Sequence, residues 1–199
     1  GDQLTVANNS AFDFGSGDFT VEAWCYFTGS TGSVINYSNG QATNANFAWE
    51  IYQVSATSIQ IGIYQSTTSY VASSTALVAN AWNHVAGVRN GNTLTIYVNG
   101  VAGGTTANVT GVTANNPASA TVKISGYNNA TSFITGYVSN ARIVKGTAVY
   151  TGAFTPPTAP LTAITNTQLL TLQTRAPATN NGFIDSSPNN FVVTRNGNT

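Results

Sequence analysis

Three small groups of residues in this chain are of types that do chemistry. The first lies in WNHVAGVRNGNTLTIYVNG (82–100), which holds the only histidine, His84, between Trp82 and Arg89. Beside a nucleophile and a carboxylate, that histidine would act as a general base; beside other nitrogen, sulfur or oxygen ligands, it would bind a metal. The second is a pair of glutamates, Glu22 in VEAW and Glu50 in WEIY. Two carboxyl groups roughly 5–10 Å apart would suit glycoside hydrolysis. The third is Asp13 and Asp18, which flank the turn FDFGSGDF and would either hold a cation or make Asx-turns and caps.

None of these sets is complete. His84 sits on an expected strand with no Gly-x-Ser-x-Gly turn beside it, so no nucleophile elbow serves it. One histidine and one cysteine cannot fill a metal site. Glu22 and Glu50 are isolated in different strands, each expected on a solvent-facing surface or paired with an arginine. No catalytic residue and no metal ligand is assigned, and the chain reads as a non-enzyme. His84 is expected to be structural, Asp13 and Asp18 to make turns, and Cys25 to be a small buried apolar residue. Arg89, Arg142 and Lys145 are expected as solvated or locally paired charges.

Strands must carry all of these residues. FTVEAWCYF (19–27), SIQIGIY (58–64) and NTLTIYV (92–98) alternate with period two, the mark of half-buried strands. Strands are expected at 3–6, 19–27, 33–37, 46–54, 58–65, 69–72, 75–78, 82–89, 93–99, 121–126, 133–145, 168–173 and 190–195. The 133–145 segment is long for one strand and is expected to bend or bulge near Gly136. Asn-Gly pairs recur between the runs, among them Asn90-Gly91 and Asn99-Gly100, where type I′ turns are expected. The stretch TAVYTGAFTPPTAPLTA (147–163) reads as an ordered crossing loop held extended by Pro156 and Pro157. The fold class is therefore all-β, a two-sheet antiparallel sandwich or jelly roll, with residues 1–199 as a single domain.

Composition narrows the partners. Only 6% of the 199 residues are charged and the net charge is zero, so no basic surface is available for nucleic acid. No apolar run approaches the ~18 residues of a membrane helix, and no membrane insertion is expected. The chain opens on GDQL and has no methionine, which reads as part of a longer polypeptide.

FDFGSGDFTVEAWCYF (12–27), WNHVAGVRNGNTLTIYVNG (82–100) and GYVSNARIVKGTAVYTGAFTPPTAPLT (136–162) together resemble laminin-G-like domains of the concanavalin A-like lectin/glucanase superfamily. The version in tail-fibre and virion surface proteins of bacteriophages, cyanophages among them, is the most similar. The resemblance implies a virion-surface or extracellular location, glycans as partners, contacts with other virion proteins, and a homo-oligomer in the assembly. It also implies where calcium would sit, at an Asp before one strand and an Asp or Asn in a later loop. Here those positions are Asn46, before FAWEIY, and Asn128 and Asn129 in GYNNATS (126–132). A rim made of amides is expected to bind calcium weakly or not at all, so no cofactor is assigned. The same rim is the expected glycan site, formed by Asn44, Asn46, Tyr127, Asn128 and Asn129. Amides both donate to and accept from sugar hydroxyls, and a tyrosine ring supplies a stacking platform. The functional expectation is a non-catalytic adhesion domain that binds carbohydrate; the alternative is a structural or decoration domain of the virion with no sugar binding.

Overall fold

FTVEAWCYF forms a strand over its whole length and turns Phe19, Val21, Ala23, Cys25 and Phe27 into the core. SIQIGIY does the same with Ile59, Ile61 and Ile63, and TLTIYV with Leu94, Ile96 and Val98. The computed structural model describes residues 2–41, 43–127, 132–174 and 183–197. Among them the strands in chain order are β1 (Gln3–Val6), β2 (Phe19–Phe27), β3 (Gly32–Ser38), β4 (Phe47–Ser55), β5 (Ser58–Gln65), β6 (Thr68–Ser74), β7 (Trp82–Asn90) and β8 (Thr93–Val98). There follow β9 (Val101–Ala102), β10 (Ala107–Asn108), β11 (Thr121–Ile124), β12 (Gly136–Lys145), β13 (Thr167–Thr171), β14 (Phe183–Ile184) and β15 (Val192–Asn196).

The strands make two antiparallel sheets. One runs β14-β15-β1-β11-β3-β4-β5-β6; the other runs β10-β8-β7-β2-β12-β13, with β9 added beside β8. One core lies between them, with Trp49, Phe12, Phe27 and Ile61 among its largest fully buried side chains. The first and last long strands of the eight-stranded sheet pair directly, with Gln3 opposite Asn196.

Part of the outer face of the seven-stranded sheet is covered by the chain itself. The crossing loop lays Ala148, Tyr150 and Phe154 over Ala86, Val88 and Tyr97. Thr20 ties the loop down at both ends of its hydroxyl, donating to the Thr147 carbonyl and accepting from the Val149 amide. The centre of this sheet is therefore buried on both faces, which alternation in the strands alone does not reveal.

Several expectations need correction. Residues 75–78 form no strand; the segment is tied by the Leu77 amide to the Thr57 carbonyl. The 133–145 segment divides between the sheets: Phe133 bridges Ser33 in one, and β12 begins at Gly136 in the other. Its register shift lies further on, between Ser139 and Arg142, where Asn140 takes a φ of 52°. The two Asn-Gly turns also differ. Asn99 and Gly100 both have positive φ, as a type I′ turn requires. In the β7–β8 turn Asn90 pairs with Thr93, so the central residues are Gly91 and Asn92, and only Gly91 has positive φ. A β-carbon on Gly91 would meet nothing within 4 Å, yet its φ is 56°. Gly91→Ala is therefore expected to cost about 1 kcal/mol from backbone strain alone, read as a lower midpoint in urea with an unchanged slope.

Candidate functional site

Strands β4 and β5 turn their second set of side chains away from the core, and there they build a pocket of about 260 Å³. Glu50 and Tyr52 come from β4, and Gln60 and Tyr64 from β5. The pairing puts Tyr52 opposite Gln60 and Glu50 opposite Gly62. Gly62 matters because it has no side chain. The Tyr64 ring lies back over it, within 3.1–3.2 Å of where a β-carbon would be, and its hydroxyl donates to Glu50 Oε2 at 3.3 Å. Two loops supply the walls. Thr43, Asn44 and Phe47 come from one, Tyr127 and Ser132 from the other. Phe47 holds them together, with its ring 5.3 Å from that of Tyr64 and 5.6 Å from that of Tyr127.

Glu50 is the one carboxylate among these lining residues and is only 6% exposed. Among the described residues its Oε1 has no hydrogen-bond partner. Burial raises its carboxyl to about 7, although the Ser33 and Tyr64 hydroxyls pull the other way. Burial, the Glu50 charge and Tyr127 raise the Tyr52 hydroxyl. The pocket thus joins aromatic rings to a carboxylate oxygen that lacks a donor. That combination suits a ligand with apolar faces and hydroxyl donors.

The expected rim residues divide. Asn44 and Tyr127 line the pocket. Asn44 also uses its amide to hold the Thr67 carbonyl, at 2.8 Å. Asn46 does not line it, because its side chain is taken up inside its own loop by Asn39 and Thr43. Asn128 and Asn129 lie outside the described residues. Glu50 corrects the expectation of a solvent-facing or arginine-paired carboxylate: it is buried beneath the two loops and engages tyrosine. Glu50 and Tyr52 on β4 and Gln60 and Tyr64 on β5 share the outward face, but that spacing does not say that loops close over it.

Glu22 is also buried, on the covered face of the other sheet. Arg142 donates to Glu22 Oε1 from Nε at 2.8 Å, and its Nη2 lies 2.6 Å from the same oxygen. His84 Nε2 lies 2.9 Å and the Tyr150 hydroxyl 2.8 Å from Oε2. A carboxylate only accepts, so His84 carries its proton on Nε2 in this pair. Trp24, Tyr150 and Phe154 pack around the imidazole. Among the described residues no nucleophile joins the group, and none of its members lines either cavity described here. It fastens the crossing loop, with Arg142 Nη1 reaching the Thr162 carbonyl at 2.9 Å.

Arg89, expected as a solvated or locally paired charge, is likewise buried and donates to the carbonyls of Gly91, Val109 and Val112. Asp13 accepts from the Gly15 amide in an Asx-turn, and Asp18 accepts from the Gly91 amide at 2.7 Å. Among the described residues, no three His, Cys, Asp or Glu side chains gather where they could hold a metal.

Two other surface features compete for attention. A larger cavity of about 650 Å³ opens at one end of the sandwich, between Leu4, Ile124, Ile134, Val138 and Leu172. Its lining is mainly apolar, with Asp2, Gln3, Ser125, Thr135 and Tyr137 as its polar residues. On the outer face of the seven-stranded sheet, Tyr137, Tyr26 and Trp82 form a row across three paired strands, their rings 5.8–6.0 Å apart. Tyr137 and Trp82 are exposed.

Comparison with known proteins agrees with this architecture. A candidate carbohydrate-binding protein of Bacteroides ovatus superposes with a TM-score of 0.67 at 14% identity, covering 99% of this chain and 56% of that one. The chain thus spans just over half the length of that protein. A heptameric SAP-like pentraxin of Limulus polyphemus superposes at 0.52 with 18% identity, covering 75% and 72% of the two chains. The CBM40 of a Ruminococcus gnavus IT-sialidase, bound to α2,3-sialyllactose, superposes at 0.56 with 13% identity, covering 70% and 80%. At these identities the likeness is one of fold. A search of curated proteins returned no significant match. A laminin G family profile, described as concanavalin A-like lectin/glucanases superfamily, matches residues 1–156. With most of its length covered by that profile and its strands in the matching two-sheet sandwich, the chain belongs to the laminin G-like family of the concanavalin A-like lectin/glucanase superfamily.

Proposed function

We propose that this domain is a non-catalytic carbohydrate-binding module of a virion surface or fibre protein, and that sugar sits in the pocket over Glu50. The observation that carries the reading is the meeting of Tyr52, Tyr64 and Tyr127 around a buried carboxylate oxygen that has no partner among the described residues. Sugar rings stack their C–H faces on aromatic rings while their hydroxyls seek acceptors, and this pocket presents both. The bound sialyllactose of the Ruminococcus CBM40 supports sugar binding on a sandwich of similar fold. A lone carboxylate in the pocket lacks the second carboxyl group that glycoside hydrolysis ordinarily needs.

The test is a screen of host-surface polysaccharides and oligosaccharides, followed by titration of each hit against Tyr127→Ala. Loss of the ring is expected to weaken binding roughly tenfold or more with the melting temperature nearly unchanged. EDTA is expected to leave affinity unaltered, since amides stand where calcium would need charged ligands. Hits whose affinity survives Tyr127→Ala would remove the sugar from this pocket.

The exposed row of Tyr137, Tyr26 and Trp82 favours a second reading, a structural or decoration domain that packs on other virion proteins or on copies of itself. Aromatic side chains are enriched at such interfaces. Under that reading no polysaccharide binds, and Trp82→Asp disrupts assembly.

A further inference from the structure

We propose that the pocket over Glu50 selects uncharged sugars and rejects acidic ones, sialosides and uronates among them. The inference rests on the reading of this pocket as the sugar site and adds the chemical class of its ligand. Glu50 is the most deeply placed ionisable group there, and among the described residues Oε1 is left without a donor although Oε2 receives the Tyr64 hydroxyl. An acceptor in that position is satisfied by a sugar hydroxyl, which can donate. It is opposed by a ligand carboxylate, which only accepts and carries the same charge.

Nothing nearby offsets that charge. No lysine, arginine or histidine lines the pocket among the described residues, and the sequences of its two loops, NGQATNANF (39–47) and GYNNATS (126–132), contain none. The sheet carries a cation at Lys123, on β11 and two strands away from β4, but its Nζ is committed to the Ser38 carbonyl at 2.6 Å. The other polar groups around Glu50 are hydroxyls, Ser33 from β3, Tyr64 from β5 and Tyr52 and Tyr127, and the neutral amides of Asn44, Gln60 and, opposite it on β3, Asn36. None becomes a cation. The superposed CBM40 holds a sialylated ligand, but a shared fold does not transmit a charge preference; the side chains of the site set it.

Since burial raises the Glu50 carboxyl to about 7, the discrimination has a pH signature. The repulsive form prevails above that value and fades below it.

Matched pairs test this on the intact chain: glucose and glucuronate, galactose and galacturonate, lactose and 3′-sialyllactose, each presented as a multivalent conjugate. At about pH 8 the neutral member of any pair that binds is expected to be held roughly tenfold more tightly or better, a gap that shrinks to within about threefold near pH 5.5. Glu50→Gln is expected to close the gap at the higher pH, and the wild-type pH profile tests the same point should that variant fold poorly. Equal or tighter binding of the acidic member by the wild type at the higher pH overturns the inference and leaves sugar binding standing. A gap that persists undiminished at low pH or in Glu50→Gln also overturns it. Failure of every neutral and acidic conjugate to bind overturns the functional reading and the inference with it.

Discussion

Arg142→Met is expected to destabilise the domain by about 3–5 kcal/mol at neutral pH, because it leaves a buried carboxylate without its counter-ion. Glu22 is fully buried and accepts from Arg142 on one oxygen and from His84 and Tyr150 on the other. Burial pushes its carboxyl up, but the His84 hydrogen bond, the Arg142 charge and the Tyr150 hydroxyl outweigh it and hold the group below its ordinary value. A folded-state value below the unfolded one gives stability that is present above the unfolded value and lost as pH falls through the folded value. Wild-type protein should therefore weaken in acid through this group. In Arg142→Met the carboxyl is freed to rise, so the penalty should be largest near neutrality and smaller in acid, where Glu22 is protonated. Urea unfolding at about pH 7 and about pH 4 reads both effects. A loss below about 1 kcal/mol at the higher pH would mean that the ion pair contributes little.

Glu50→Gln is expected to do the opposite and stabilise the protein at alkaline pH. Burial moves the Glu50 carboxyl from 4.5 to about 7, so folding favours its protonated form. The sign is the reverse of that for Glu22: the stabilisation is fully present below the unfolded value and is lost as pH rises through about 7. A displacement of that size corresponds to a loss of the order of 3 kcal/mol by pH 8, which glutamine, unable to ionise, avoids. Melting curves of the two proteins should run close together below about pH 4.5, diverge between there and about pH 7, and keep a constant gap above it. Parallel curves over the whole range would show that Glu50 is not held in the protonated form by its surroundings. The two glutamates thus pull stability in opposite directions along the pH axis, one from each sheet.

Alternation made the large strands legible. FTVEAWCYF, SIQIGIY and TLTIYV face the core as their spacing says, and the two-sheet architecture follows. The short strands β9, β10 and β14 were not legible, because two residues carry no period. Residues 75–78 have strand composition but find no partner strand, and a strand exists only as a pairing. In the pocket, Asn44 and Tyr127 were legible as loop residues at one rim. The pairing of Glu22 with an arginine was legible as one of two alternatives, but the burial of Glu50, Glu22 and Arg89 was not, for a common reason. Period two says that a side chain points away from the core; it does not say whether a loop then closes over it. The crossing loop buries Glu22, the two pocket loops bury Glu50, and the turns around Val109 and Val112 bury Arg89.

The pairing of β1 with β15 has a mechanical consequence. Gln3 begins one strand and Asn196 ends the other, and the two residues face each other at the same end of the ladder. Tension applied through both ends of the domain would load that first pair alone, then the next, peeling the hydrogen bonds in succession. Strands pulled lengthwise past each other would instead share the force across every bond. Held from both sides, the domain would yield by unzipping from this seam; held from one side only, it would pass a load on its surface through the sheet without straining the seam.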